Sequence, residues 1–159
     1  MKINSLIYAV VLIASVIIFY VSVFGFPHSL IINGGDENQR TVIKEAMQKV
    51  DKNVANSIYS VTISNDKTEE MCSGEIRGIF FGCTVTSFQT NWLGNRVKAD
   101  IYLANDKYNG CYTFNNTLYH EIGHVAYYYY YGQTQDSQVL FGTEQWVNDF
   151  ANKYAPTDC

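Results

Sequence analysis

The sequence of 159 residues predicts an α+β protein that begins with a transmembrane helix and continues into one globular domain. Three observations support this fold class: an uncharged apolar N-terminal stretch, alternating apolar and polar residues in the middle of the chain, and a helical spacing of apolar residues near its end. The globular part should contain a small, mostly antiparallel sheet followed by two helices. We place the membrane segment and its tether in residues 1–30 and the domain in residues 31–159.

The N-terminal segment is long enough to cross a bilayer. From Leu6 to Phe26 the chain contains 21 residues without a charge, and a helix of this length rises about 30 Å, the thickness of the hydrocarbon core. Lys2 precedes the segment, and no other Lys or Arg occurs before Arg40. The positive-inside rule therefore predicts a single-pass membrane protein with a cytoplasmic N-terminus and an extracytoplasmic domain. The alternative is a cleaved signal peptide that releases a secreted protein.

The charge balance argues against a nucleic-acid partner. Lys and Arg number 11 against 15 Asp and Glu, which gives a net charge of −4, and the basic residues form no cluster. Because binding to DNA or RNA needs a concentrated positive surface, we expect no nucleic-acid partner.

The elements of the domain follow from the periodicity of the apolar residues. After a tether over residues 27–35, an amphipathic helix begins at its capping residue Asp36 and extends to Val54. Strands of alternating residues follow, then a helix that is apolar on nearly all sides and stops at Gly132, and then a last helix. The strands are predicted over residues 59–63, 79–88 and 97–103, and the last two helices over residues 117–131 and 143–154.

Four cysteines, all after the apolar segment, favour an oxidising compartment. Their spacings do not fit a zinc ribbon. Of the three possible pairings we favour Cys72–Cys83 together with Cys111–Cys159. The first pair lies within one glycine-rich β region, and the second would join the chain before the all-round apolar helix to the chain after the last helix.

The motif that carries chemistry is His120-Glu121-Ile122-Gly123-His124, which lies within the predicted apolar helix. Residues i and i+4 are about 40° apart around a helix axis and one turn apart along it, so both imidazoles project to one side and can bind one metal ion. Without pairing or a metal, burial of these polar side chains would be costly. We predict one Zn²⁺ bound by His120 and His124, with Glu121 beside it as a general base.

A catalytic zinc site needs a third protein ligand and one open position for water. The acidic candidates downstream of the motif are Asp136, Glu144, Asp149 and Asp158. Asp136 falls in a connection and Asp158 in the C-terminal tail, where neither is held rigidly. On the last helix Glu144 belongs to the core-facing stripe, whereas Asp149 points to the opposite face. Glu144 is therefore the predicted third ligand.

The pairing of the His120-to-His124 motif with Glu144, in the pattern Glu144-x-Trp146-x-Asn148-x-Phe150-Ala151, resembles the gluzincin metallopeptidases. It is most similar to the small archaeal-type minigluzincins, and the resemblance is specific over residues 111–154. It implies a minimal zincin-like domain in which the strand near Ile101–Leu103 is the edge that pairs with an extended substrate. Asn148 stands where thermolysin-like enzymes usually have an Asp, and no residue matches the family's oxyanion-stabilising His or Tyr.

Together these features predict a membrane-anchored zinc metalloendopeptidase that hydrolyses peptide or protein substrates outside the cytoplasm. Zn²⁺ would activate water and the substrate carbonyl, while Glu121 takes a proton and returns it to the leaving amine. One alternative is a non-enzymatic, membrane-anchored binding or structural protein with a structural zinc site. Another is a latent zymogen in which the Cys159 thiolate binds the zinc. An intact Glu121 favours the enzyme, because a structural site needs no general base.

Overall fold

The structure is a computed structural model that describes residues 7–16, 29–72, 81–91, 94–108, 113–132 and 137–156. Within these ranges the chain forms six helices and four strands, and the strands form one sheet. The predicted α+β class is confirmed. In chain order the elements are α1 (residues 7–16), β1 (Ile31–Gly34), α2 (Glu37–Lys49), α3 (Lys52–Ser57), β2 (Ile58–Ile63), α4 (Asn65–Cys72), β3 (Gly82–Asn91), β4 (Gly94–Leu103), α5 (Phe114–Tyr131) and α6 (Ser137–Tyr154).

The prediction of a transmembrane helix is wrong for the described part of the chain. None of the helices there is both long enough and apolar enough to cross a membrane. The rest of the predicted segment, residue 6 and residues 17–26, lies outside the described residues. The predicted single-pass membrane localisation, with its cytoplasmic N-terminus and extracytoplasmic domain, is overturned by the same finding.

The sheet is mixed, with the strand order β1–β2–β4–β3. β1 pairs with β2 and β2 pairs with β4 in parallel, and β3 pairs with β4 antiparallel. The prediction of a mostly antiparallel sheet is therefore wrong. The reason lies in the connections, because α2 and α3 carry the chain from β1 to β2, and such helical crossovers join parallel strands.

The edges of the sheet also differ from the prediction. Ile101–Leu103 belongs to β4, which lies between β2 and β3, so this segment is not the edge that the resemblance implied. The edge strand on that side is β3. The other edge is β1, which falls within the predicted tether and pairs with residues 60–63 of β2. Its four residues do not alternate between buried and exposed positions. The period-2 pattern by which the other strands were predicted is therefore missing from this segment.

Helix α5 is the centre of the domain. It packs against β3 and β4 and also contacts α2, α3 and α6. The predicted helix over residues 117–131 is confirmed, with a start at Phe114. Its buried residues end at Ala126, and Tyr129, Tyr130 and Tyr131 are exposed, so the prediction of burial is wrong for the last turn. The core around α5 includes the fully buried side chains Ile43, Ala46, Ile58, Val61, Ile101, Leu103, Leu118, Ile122, Val125 and Ala126.

Local side-chain signals set several helix ends. Asp36 caps α2 by accepting a hydrogen bond from the Gln39 main-chain N–H at 2.8 Å, and the Gln39 side chain accepts one from the Asp36 N–H at 2.9 Å. The predicted helix over residues 36–54 is divided, because Asp51 caps α3 separately. Gly132 ends α5 with a φ of 75°, a backbone conformation that favours glycine.

A disulfide joins Cys72, at the end of α4, to Cys83 near the start of β3. This is the predicted pairing, and the two Cα atoms lie 5.8 Å apart, an ordinary separation for a disulfide. The other predicted pair, Cys111 and Cys159, lies outside the described residues. The observed disulfide fastens the first residues of edge strand β3 to α4.

Candidate metal centre

Helix α5 presents two histidines on one side. The side chains of His120 and His124 are 24% and 18% exposed, and their ring centroids lie 4.9 Å apart. The other faces of the same helix are buried, through residues such as Leu118, Ile122 and Val125. Burial of those faces fixes the rotation of α5, so both imidazoles project into the same space.

Helix α6 brings a carboxylate to this pair. Glu144 Oε2 lies 3.5 Å from His120 Nε2, and Glu144 Oε1 lies 3.5 Å from His124 Nε2. One ligand atom from each of the three residues lies within 4.8 Å of the others. The structure therefore brings together the three side chains that the sequence predicts as metal ligands.

The close approach of the two helices depends on Gly123. A Cβ atom at this position would lie 3.0 Å from Val147 Cγ1 and 3.3 Å from Phe150 Cδ1, both on α6. Contacts this short are tighter than ordinary van der Waals packing, so a side chain here would require its neighbours on α6 to shift by a few tenths of an ångström. The glycine within the motif thus lets Glu144 reach the histidines.

Asn148 orients one of the two imidazoles. His120 Nδ1 lies 3.0 Å from Asn148 Oδ1, and because an amide oxygen only accepts, the Nδ1–H of His120 is the donor. His120 Nε2 faces the Glu144 carboxylate at 3.5 Å. With the proton of the ring on Nδ1, Nε2 is the nitrogen that could bind a metal ion.

The donor set fits zinc. Two imidazole nitrogens and a carboxylate oxygen are a common three-ligand set for catalytic Zn²⁺, with bonds of about 2.0–2.2 Å. Tetrahedral geometry with bonds of this length separates ligand atoms by about 3.3–3.6 Å. Each histidine Nε2 lies 3.5 Å from one oxygen of Glu144, Oε2 for His120 and Oε1 for His124. With one ligand atom from each residue within 4.8 Å of the others, His120, His124 and Glu144 could hold one zinc ion after small side-chain rotations.

The candidate general base is buried beside this group. Glu121 is 4% exposed, and its Oε2 lies 2.8 Å from the hydroxyl of Thr84 on β3. Burial raises the pKa of Glu121 to about 8, the Thr84 hydrogen bond lowers it, and the Glu144 charge raises it further. A carboxyl group with such a pKa can exchange a proton near neutral pH.

His124 is prepared as a neutral ligand. Burial and the neighbouring His120 lower the pKa of His124 to about 4. The imidazole is therefore uncharged at neutral pH, the form that binds metal ions.

Of the other acidic candidates, the structure describes only Asp149, which is not part of this group. Asp149 lies on α6 and accepts a hydrogen bond from Gln145 at 3.0 Å, away from the two histidines. Asp136 and Asp158 lie outside the described residues.

The sequence did not indicate Thr84, because it lies 37 residues before Glu121 on a different element. A polar threonine on the α5-facing side of a half-buried strand was the only available signal.

A separate cavity of about 570 Å³ lies at the carboxyl ends of β1 and β2. It is polar, and its lining contains none of the three candidate ligands and no histidine. The lining residues are Gly35, Asp36, Ile63, Ser64, Asn65, Asp66 and Asn105.

Comparisons of the chain with known protein families, with curated proteins and with solved structures find no match.

Proposed function

We propose that this protein is a zinc-dependent peptide hydrolase whose metal is held by His120, His124 and Glu144. The observation that carries the proposal is the convergence of three metal-binding side chains next to a buried carboxyl group, Glu121. Three protein ligands leave one position open for water or substrate, which distinguishes catalytic from structural zinc sites. The resemblance of the motif to gluzincins points to the same reaction class.

When bound, zinc supplies a Lewis acid that activates water and polarises a peptide carbonyl. The chain itself supplies the proton transfers. Thr84 occupies Oε2 of Glu121, so Oε1 is the oxygen that takes a proton from the attacking water. Glu121 then returns this proton to the nitrogen of the leaving amine.

Edge strand β3 provides a means of binding an extended peptide. Among the described residues only one side of β3 is paired with another strand, and its free main-chain groups can pair with a substrate backbone. Phe88 of β3 packs edge-on against Tyr128 of α5, with ring centroids 5.7 Å apart. Because Tyr128 lies one turn beyond His124, β3 runs alongside the part of α5 that carries the metal ligands.

The test is hydrolysis of casein by the full-length protein after removal and restoration of zinc. We expect a chelator to abolish cleavage and about one zinc per chain to restore it. Glu121→Gln is the matched control, because it should retain zinc and lower kcat by about 10²–10⁴-fold.

Cleavage that survives chelation, or equal cleavage by Glu121→Gln, would overturn the proposal. Tightly bound zinc without any hydrolysis would favour a structural zinc site.

A further inference from the structure

Thr84 makes two contacts with the candidate general base. Its hydroxyl oxygen lies 2.8 Å from Glu121 Oε2 and 3.0 Å from the main-chain oxygen of Glu121. No second hydrogen-bond partner of the Glu121 carboxyl occurs among the described residues. The orientation of this carboxyl group therefore depends on one threonine from another element.

The chemistry of a hydroxyl group suits this position. A hydroxyl has one proton to donate and two lone pairs that accept. When Glu121 is ionised, Thr84 donates to Oε2. When Oε1 carries the proton, Oε2 is a carbonyl oxygen that still accepts a hydrogen bond from Thr84. Thr84 keeps its own proton in both cases, so the contact persists in both states that a general acid–base needs.

Strand β3 holds Thr84 in place without help from a ligand. The preceding residue, Cys83, is bonded to Cys72 of α4. In the antiparallel register Thr84 pairs with Ile101 of β4. The start of the strand is also tied down, because the main-chain oxygen of Phe81 accepts a hydrogen bond from the Ala104 N–H at 2.8 Å.

We propose that Thr84 is a positioning residue that holds the Glu121 carboxyl in one orientation while this group takes and returns a proton. The inference rests on the proposed hydrolase function and adds a residue from the edge strand to the catalytic apparatus. It connects two roles of β3, since the strand available to an extended substrate also orients the general base.

The test compares Thr84→Val, which keeps the β-branched shape without the hydroxyl, with Thr84→Ser, which keeps the hydroxyl. For Thr84→Val we expect a kcat about 10- to 100-fold lower, with a KM within about twofold and unchanged zinc content. Thr84→Ser should recover most of the loss. Thr41→Val, the same substitution at an exposed threonine of α2, is the matched control and should behave as wild type. Thr84→Ala replaces the valine variant if that variant does not fold.

A second readout needs neither zinc nor substrate. In the metal-free full-length protein, the ¹³C resonance of the Glu121 carboxyl carbon should shift in Thr84→Val and remain near its wild-type position in Thr84→Ser. An unchanged resonance in Thr84→Val would overturn the contact. An unchanged kcat in Thr84→Val, with wild-type hydrolysis intact, would overturn the positioning role alone. A wild-type protein that hydrolyses nothing would overturn the proposed function, and the resonance would still decide whether Thr84 holds Glu121.

Discussion

The two halves of the candidate metal centre are built in different ways. The half on α5 contains His120 and His124 within one helix, and the sheet and neighbouring helices bury the other faces of that helix. The half on α6 contributes Glu144, whose side chain is 54% exposed. Helical periodicity alone aligns the first two ligands. The third depends on how closely α6 approaches α5 at Gly123.

The comparison predicts that removal of a ligand from either half abolishes tight zinc binding. His124→Ala and Glu144→Ala should each contain far less than one zinc per chain and should lose hydrolysis, because two ligands cannot hold a catalytic zinc tightly. Zinc content after dialysis is the measurement. If Glu144→Ala kept stoichiometric zinc while Asp136→Ala or Asp149→Ala lost it, Glu144 would not be the third ligand.

A smaller effect is expected from the residue that orients His120. Asn148→Ala removes the acceptor of the His120 Nδ1–H at 3.0 Å, and loss of such an outer partner weakens metal affinity by about 10- to 100-fold. Competition with a zinc-binding dye measures the change. Asn148→Asp, which restores an acceptor, should bind zinc at least as tightly as wild type. Equal affinities of wild type and Asn148→Ala would show that this contact does not support the site.

Gly123→Ala tests the approach of the two helices directly. The added methyl group would crowd Val147 and Phe150, and overpacking of this kind costs about 1–3 kcal/mol of unfolding free energy. Because α6 should move outward, zinc affinity should also fall while His120 and His124 keep their spacing. Urea unfolding and zinc titration measure the two effects. If Gly123→Ala had the same unfolding free energy and zinc affinity as wild type, the position of Glu144 would not depend on the close contact at Gly123.

The smallest expected effect is a pH dependence of the metal-free protein. The folded pKa of Glu121, about 8, lies above its ordinary value of 4.5, so its stabilising contribution is complete below about pH 4.5 and is lost as pH rises through 8. His124 has the opposite sign, with a folded pKa of about 4 against 6.5, so its contribution is complete above about pH 6.5 and is lost as pH falls through 4.

Between about pH 6.5 and 8, therefore, Glu121 contributes more than His124 to the pH dependence of the unfolding free energy. The unfolding free energy of the metal-free protein should fall by about 1–2 kcal/mol across this interval, and Glu121→Gln should remove most of the fall. Urea unfolding in the presence of a chelator gives the comparison. If the unfolding free energy fell equally in wild type and in Glu121→Gln, another group would be responsible for the pH dependence.

The sequence predicted those parts of the molecule whose structure is set locally. The helix that carries His120 and His124 was predicted because its apolar residues recur at the spacing of an α-helix. The four-residue interval between the two histidines fits the same spacing. The same periodicity assigned Glu144 to the core-facing stripe of the last helix, but its side chain is 54% exposed, and α6 begins six residues earlier than the expected start at Thr143.

Pairing between distant segments could not be predicted in this way. Strand β1 has no alternating pattern and exists because it pairs with β2 across the α2–α3 connection. The position of β3 at the sheet edge, and with it the contact between Thr84 and Glu121, also depends on strand order. The transmembrane prediction rested on an uncharged run of residues, and no helix in the described part of the chain is long and apolar enough to cross a membrane.

We expect one zinc ion to join α5 to α6 through His120, His124 and Glu144. Crystals of the full-length protein grown with zinc, with diffraction data collected on both sides of the zinc absorption edge, test it most directly. We predict one anomalous peak at about 2.0–2.2 Å from Nε2 of His120, Nε2 of His124 and a carboxylate oxygen of Glu144. The absence of a peak at this position, or a zinc ion bound without Glu144, would contradict the account.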